Sequence, residues 1–197
     1  MGRDLTRRGL RSPQLVVVDA APGLIAAVEQ LWPTADRQRC TVHRLRNLLA
    51  KLPEREREQV RLAYWQALDQ AESVNDGERR MRVLTGELDH AGYTAGAACL
   101  TEDLDALLVH LRYPLRHRRN WRSTNLLERS LGEVRRRTKI IGRFPGETSC
   151  LSLCWAVLDL IISHSTRLVF TDLEQQALQR LQHQRDEHPT TSEVIAA

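Results

Sequence analysis

Three acidic residues in this sequence could do metal or phosphate chemistry. Asp19 closes the apolar run Leu15-Val16-Val17-Val18. A carboxylate at the C-terminal end of a buried strand faces the crevice in which open α/β sheets hold their ligands. The competing role is a cap on the turn that follows, and Asp19 taken alone favours the cap. Glu128 and Glu133 are the two acids set among eleven Lys and Arg between Arg112 and Arg143. On a helix Glu133 has Arg129 and Arg137 four residues to either side, the spacing of a solvated ion-pair ladder. Glu128 shares its face with Leu131 and Gly132, beside a stripe of Leu127, Leu131 and Val134. It is expected at the edge of the core, where a carboxylate needs a partner and a divalent cation is a good one. Glu128 is therefore preferred to Glu133 as a metal ligand.

Cys40-x-x-His43 is half of a zinc-site pattern, but no second Cys/His pair stands at suitable spacing. A buried, hydrogen-bonded pair at a strand–helix junction is the favoured reading. The remaining cysteines, at 99, 150 and 154, show no disulfide framework, and reduced core thiols are expected. Trp121, among Arg116, Arg118, Arg119 and Arg122, suits either stacking on an unpaired base or packing in the core.

Charge is distributed unevenly. The chain of 197 residues carries a formal +4, yet the stretch from Arg112 to Arg143 is about +9 and the rest about −5. Positive charge gathered in one stretch is the footprint of a phosphate-binding surface. The residues expected to face DNA are Arg116, Arg118, Arg119, Arg122, Arg129, Arg135, Arg136, Arg137 and Lys139. Membrane function is disfavoured. The longest apolar stretch, Leu151 to Ile162, is interrupted by Asp159 and is shorter than the roughly 18 residues a span needs. No signal-peptide core follows the first arginines, so a cytoplasmic location is expected.

Several elements must position these residues. Leu15–Val18 reads as a buried strand of the parallel type. Ala20 to Gly23 is a turn with Pro22 suited to a first helical turn, and the next helix has Leu24, Val28 and Leu31 on one face before Pro33. Arg39–Val42 is expected as a second strand, and His43–Leu52 as a helix ended by Pro53. From Glu54 to Leu111 the pattern is helical. Its stripes are Val60, Ala63, Tyr64, Ala67 and Leu68; Met81, Leu84 and Leu88; and Leu100, Leu104, Leu107, Leu108 and Leu111. Breaks are expected at Asn75-Asp76-Gly77, Gly92 and Gly96. Ser123, Thr124 and Asn125 offer N-caps for a helix over Leu126–Arg137. A loop from Gly142 to Gly146, a helix over Ser149–His164 and a polar tail follow, the tail helical at first (Leu173, Ala177, Leu181) and frayed beyond Pro189.

The runs Leu15-Val-Val-Val-Asp-Ala-Ala-Pro-Gly-Leu24, Gln38-Arg-Cys-Thr-Val-His-Arg-Leu-Arg-Asn47 and Ser123-Thr-Asn-Leu-Leu-Glu-Arg129, with Glu133-Val-Arg-Arg-Arg-Thr138 and Phe144-Pro145, resemble the Mutator-like transposases of bacterial insertion sequences. The resemblance spans about Leu5 to Ile162, and its motifs keep the family's order. It implies a mostly helical α/β protein: a ribonuclease-H-like core, an Asp-Asp-Glu triad holding Mg²⁺ or Mn²⁺, and an all-helical insertion before the Glu. By motif position Asp19 is the second carboxylate and Glu128 the third, with Cys40, His43 and Asn125 in supporting roles. Ala20 stands where the family has Gly. The family's first Asp and its DNA-binding region lie upstream of residue 1, and Asp4 sits outside any strand pattern.

The expectation is thus a truncated copy with a partial core over 1–53, an insertion over 54–111, core completion over 112–165 and a helical, then flexible, tail over 166–197. Its expected partners are element ends and target DNA, and another copy or a full-length transposase, in the nucleoid and without membrane contact. A noncatalytic DNA-binding regulator is the competing expectation.

Overall fold

The computed structural model describes residues 2–164 and 169–187. These fall into two compact units, one holding the described residues of Met1–Ser123 and Asp172–Ala197, the other those of Thr124–Thr171. The protein is mostly helical, with a small parallel sheet.

In the first unit a short helix α1 (Gly2–Arg7) precedes strand β1 (Leu15–Val18), helix α2 (Pro22–Leu31) and strand β2 (Asp36–Arg39). β1 and β2 pair in parallel, with Leu15 opposite Asp36 and Val18 opposite Arg39. Pro22 occupies the first turn of α2, where its missing N–H leaves no bond unmade. A sheet of two strands cannot cover both faces of β1. Val18 is buried while Leu15, Val16 and Val17 are half-buried, so β1 is less enclosed than its composition suggests. On α2, Val28 is buried but Leu24 is exposed, and the expected apolar face is only partly used.

The second strand lies three residues before its expected position. Apolar pattern favours Arg39–Val42, yet the strand is the polar run Asp36–Arg39, and Thr41 already belongs to helix α3 (Thr41–Leu49). Distant partners make the polar strand stable. Arg37 donates to both oxygens of Asp103 at 2.9 and 3.0 Å. Asp36 accepts from the Tyr113 hydroxyl at 2.8 Å. The fully buried Gln38 amide donates to the carbonyls of Arg39 (2.6 Å) and Leu107 (2.8 Å) and accepts from the amide of His110 (2.6 Å). A buried amide satisfied in this way can replace an apolar side chain.

Helices α4 (Glu54–Asp69), α5 (Val74–His90), α6 (Thr94–Thr101) and α7 (Leu104–Leu108) gather the main core with α3. All three expected stripes meet there. Asn75-Asp76-Gly77 does not break a helix but forms the first turn of α5, capped by the Ser73 hydroxyl, which accepts from the Asp76 amide at 3.2 Å. Gly77 is buried where a Cβ would come within 2.6 Å of a Leu111 methyl, so the helix approaches its neighbour through the missing side chain. Gly92, at φ +83°, separates α5 from α6. Gly96 lies within α6, packed on Leu48 and Leu52, and breaks nothing. A 3₁₀ turn (Val109–Arg112) and helix α8 (Leu115–Arg118) close this part. Helix α11 (Asp172–Glu187) returns to it, Arg185 donating to the Gln14 and Thr34 carbonyls. The fraying expected beyond Pro189 lies outside the described residues.

The second unit is a pair of helices, α9 (Asn125–Thr138) and α10 (Glu147–His164), in mutual contact. Thr124 is the N-cap of α9 by position, but its hydroxyl donates to Glu128 instead of accepting an amide. No residue of α9 is buried, and Leu126, Leu127 and Leu131 are exposed. Glu128 is therefore a surface residue and not one at the edge of a core.

His110 is fully buried, its Nδ1 facing two acceptors, Gln38 Oε1 (3.2 Å) and the Leu107 carbonyl (3.1 Å). Nδ1 must carry the proton, which leaves Nε2 unprotonated and without a partner. Burial, aided by Arg122, pushes its pKa down to about 4. The unfolded chain takes up this proton near pH 6.5 and the folded one does not, so stability is full above about 6.5 and falls as pH drops toward 4. The loss reaches about 3 kcal/mol. Melting followed from pH 7 to 4.5 is expected to show this decline in the wild type and a smaller one in His110→Asn, whose amide keeps the Nδ1 donor; equal declines would refute it.

Candidate functional site

The C-terminal ends of β1 and β2 lie side by side, tied by the Cys40 amide, which donates to the Val18 carbonyl at 2.7 Å. Asp19 leaves β1 there, half-buried. One of its oxygens accepts from the Ala21 amide at 3.2 Å, so Asp19 does cap the turn into α2. One residue beyond β2, Cys40 is fully buried, and its sulfur lies 3.2 Å from His43 Nδ1. This is the junction pair favoured from sequence.

Two buried arginines beside this junction escape a reading based on apolar periodicity. Arg44, on α3, donates to the Cys99 carbonyl (2.7 Å), to Glu102 Oε2 (3.0 Å) and to the Glu102 carbonyl, which pins α3 to the end of α6. Burial works against its charge, but Glu102 and Cys99 outweigh that and raise its pKa. Arg39, the last residue of β2, is only 4% exposed. Its Nε has no hydrogen-bond partner, and it makes no ion pair with any described residue. The available signal was the polar composition of Asp36–Arg39 between apolar elements, which apolar pattern alone passes over.

The basic stretch divides into two parts with different surroundings. In the first unit Arg112 pairs with Asp36 (3.3 Å), Arg116 with Glu174 (2.8 Å), and Arg119 and Arg122 both with Asp69 (2.8 and 2.6 Å). Arg118 donates to the Tyr113 carbonyl (2.9 Å) and more weakly to those of Ala71 and Glu72. The Arg122 guanidinium also lies 4.7 Å above the Trp65 ring. Partial burial opposes ionisation of Asp69, but Arg122 and Arg119 together hold its pKa below the usual carboxylate range. These contacts staple the segment to α4 and to α11. Trp121 stacks on His117 at 4.8 Å and meets Tyr113 edge-on, which is a packing role.

In the second unit α9 carries Asn125 as its first residue and Glu128 one turn in, the latter accepting from the Thr124 hydroxyl at 2.7 Å. Glu133 accepts from Arg136 and Arg137, each at 2.8 Å, and these two hold its pKa down at about 2. The solvated ladder expected from spacing is present, with Arg136 in the place foreseen for Arg129. Arg129, Arg135 and Lys139 are exposed and make no ion pair with any described residue. With Arg143, which is likewise exposed and makes no ion pair with any described residue, they are the cations of the stretch most available to an external anion.

Asp19 thus belongs to the first unit and Glu128 to the second. Carboxylate oxygens are the donors that Mg²⁺ or Mn²⁺ prefers. Among the described residues, however, no group of three or more His, Cys, Asp or Glu gathers as a metal site. The donor chemistry of Asp19 and Glu128 fits such an ion.

The family model described as "Transposase, Mutator family" matches residues 1–163. The chain belongs to the Mutator family of transposases. Among curated relatives, the transposase for insertion sequence element IS6120 of Mycolicibacterium smegmatis is 32% identical over 158 residues, covering 80% of this chain and 48% of that protein. The IS256 transposase of Staphylococcus aureus is 34% identical over 154 residues, covering 78% and 39%. The IS1081 transposase of Mycobacterium tuberculosis is 36% identical over 160 residues, covering 79% and 37%. The chain spans about half the length, or less, of these Mutator relatives. No helix of the described residues is long and apolar enough to cross a membrane.

The two parts of the basic stretch predict two kinds of variant. Arg122→Ala removes a mostly buried ion pair and a cation–π contact and is expected to lower stability by about 1–3 kcal/mol. Arg135→Ala is expected to leave it within about 0.5 kcal/mol. Urea denaturation of both variants checks this, and equal losses would show that the stapling contacts contribute nothing.

Proposed function

We propose that this chain is a catalytic-region portion of an insertion-sequence DNA transposase, and that on its own it binds DNA without completing strand transfer. Membership of the Mutator family carries the reading. It is supported by the position of Asp19, at the C-terminal end of a parallel strand where α/β proteins hold ligands. The α/β unit of β1, α2 and β2 followed by the helical bundle is the order a ribonuclease-H-like core with a helical insertion would have. The bundle corresponds to the insertion over 54–111, and Glu128 to the acid that follows it.

In this reading Asp19 and Glu128 are metal ligands. Divalent cations would polarise the phosphodiester and stabilise the attacking and leaving oxygens of an in-line displacement. This chain's own residues do the rest. Asp19 is fixed in direction by the Ala21 amide and by the Val18–Cys40 tie behind it. Cys40 and His43 buttress the same junction. Arg129, Arg135 and Lys139 attract the DNA backbone, with Arg136 and Arg137 contributing after they exchange Glu133 for phosphate. Two carboxylates are one fewer than the triad the resemblance implies, and a third is needed for the two-metal arrangement.

Supercoiled plasmid incubated with the chain and Mg²⁺ or Mn²⁺ is expected to remain intact, with the wild type and Glu128→Ala alike, while salt-sensitive binding persists. Arg135→Ala should weaken that binding and make its log–log salt dependence shallower by about one. Nicking that is lost in Glu128→Ala would show a working metal site and overturn the binding-only reading. Absence of DNA binding at low salt would overturn the transposase reading of this chain altogether.

A further inference from the structure

Three arginines crowd the end of the sheet, and they differ in one respect. Arg37 is bidentate to Asp103, and Arg44, 2% exposed, is held through its terminal nitrogens by the Glu102 carboxylate and by the Cys99 and Glu102 carbonyls. Arg39 is buried almost as deeply and pairs with no described residue. The carboxylates nearest in the fold are already engaged, Asp103 by Arg37 and Glu102 by Arg44. A guanidinium largely withdrawn from water without a counter-ion is destabilising. Arg39 is therefore a donor group awaiting an acceptor.

Its location identifies the acceptor. Register places Arg39 opposite Val18, so it ends β2 at the level where Asp19 leaves β1. Asp19 is among the charges that Arg39 senses, along with Arg44, Asp103 and Glu102. The C-terminal ends of neighbouring parallel strands form the ligand-holding edge of an open α/β sheet. A guanidinium there, with its planar fork uncommitted, matches a tetrahedral phosphate by paired N–H···O bonds better than any other side chain does. Resting on the DNA-processing reading above, we propose that Arg39 grips one backbone phosphate of the DNA strand held at Asp19. The burial that makes the empty site costly strengthens the bond once a phosphate fills it, because little water competes with a side chain 4% exposed. Arg39 would thus differ from the exposed arginines of α9, which attract DNA at long range but define no single phosphate position.

Binding of a fluorescein-labelled duplex, measured by anisotropy across a salt series, tests this together with thermal melting. Met is close to Arg in length and carries no charge. R39M is expected to melt at or above the wild-type temperature, because an unpaired buried charge has gone. The same variant should bind DNA about tenfold more weakly, with a log–log salt slope shallower by about one. R39K, which keeps the charge but loses the fork, should recover the slope and only part of the affinity, and it carries the test if R39M does not fold. A melting temperature lowered by several degrees with unchanged DNA affinity would make Arg39 a structural residue and overturn the proposal. If the wild type and R39M bind equally well, the role of Arg39 fails while the transposase reading stands. If the wild type does not bind at all, both fail.

Discussion

The buried amide of Gln38 is the contact on which the arrangement of the first unit depends. β2 is polar at every position, and a strand of that composition does not enter an interior for hydrophobic reasons. Gln38 resolves the conflict by using both ends of its amide on backbone groups of the segment beyond α7: it donates to the Leu107 carbonyl and accepts from the His110 amide. Those groups lie at the end of the helical bundle, so one side chain joins the sheet to the bundle's last turn. The junction also fixes the tautomer of His110 and leaves Nε2 without a partner. Arg37 and Asp36 extend the seam, to Asp103 and Tyr113 respectively. The position of β2 then determines that of β1, and through the Val18–Cys40 bond the point at which Asp19 leaves the sheet. The residue that leaves the apolar strand, Asp19, is in this way positioned by a polar strand that apolar pattern does not reveal.

Much of the fold could be read from the sequence because apolar periodicity is a local signal. The stripes of α4, α5 and the Leu100–Leu111 segment are all present in one core, and β1 and α2 occur where composition and Pro22 place them. Readings that depended on distant partners were less accurate. β2 was shifted by three residues because Gln38, Arg37 and Asp36 find their acceptors and donors some seventy residues away. Asn75-Asp76-Gly77 has the composition of a turn, but Ser73 caps a helix just before it and Leu111 requires a glycine at 77. Periodicity gives α9 an apolar stripe without saying what, if anything, covers it, and Leu126, Leu127 and Leu131 are exposed. For the site, Asp19 and the Cys40–His43 junction could be read from strand-end position and spacing. Arg39 could not, since nothing local distinguishes a buried arginine from an exposed one.

Arginine illustrates why composition is an incomplete guide to a nucleic-acid surface. The stretch from Arg112 to Arg143 is strongly basic when counted along the chain, but the fold uses its first part as internal staples. Asp69 alone engages two of these arginines, and Glu174 returns on α11 to meet a third. Charge counted in sequence therefore overstates the field available to a phosphate wherever acids from elsewhere approach. On α9 Glu133 is paired with arginines of its own helix, while Arg129, Arg135 and Lys139 make no ion pair with any described residue.

Partner geometry distinguishes these roles better than exposure does. Arg116 and Arg119 have side chains more than half exposed but are each already paired, whereas Arg39 is almost fully buried and pairs with no described residue. By exposure the first two would be judged binding residues and the third structural. Judged by unsatisfied donors the order reverses, and the physical argument favours the second criterion. Exposed paired guanidiniums gain little by exchanging one anion for another in water, while a buried unpaired one gains the full strength of a desolvated charge-assisted bond. On the reading that this chain holds DNA, such a group at the edge of the sheet forgoes some stability and would give a phosphate a defined position beside Asp19.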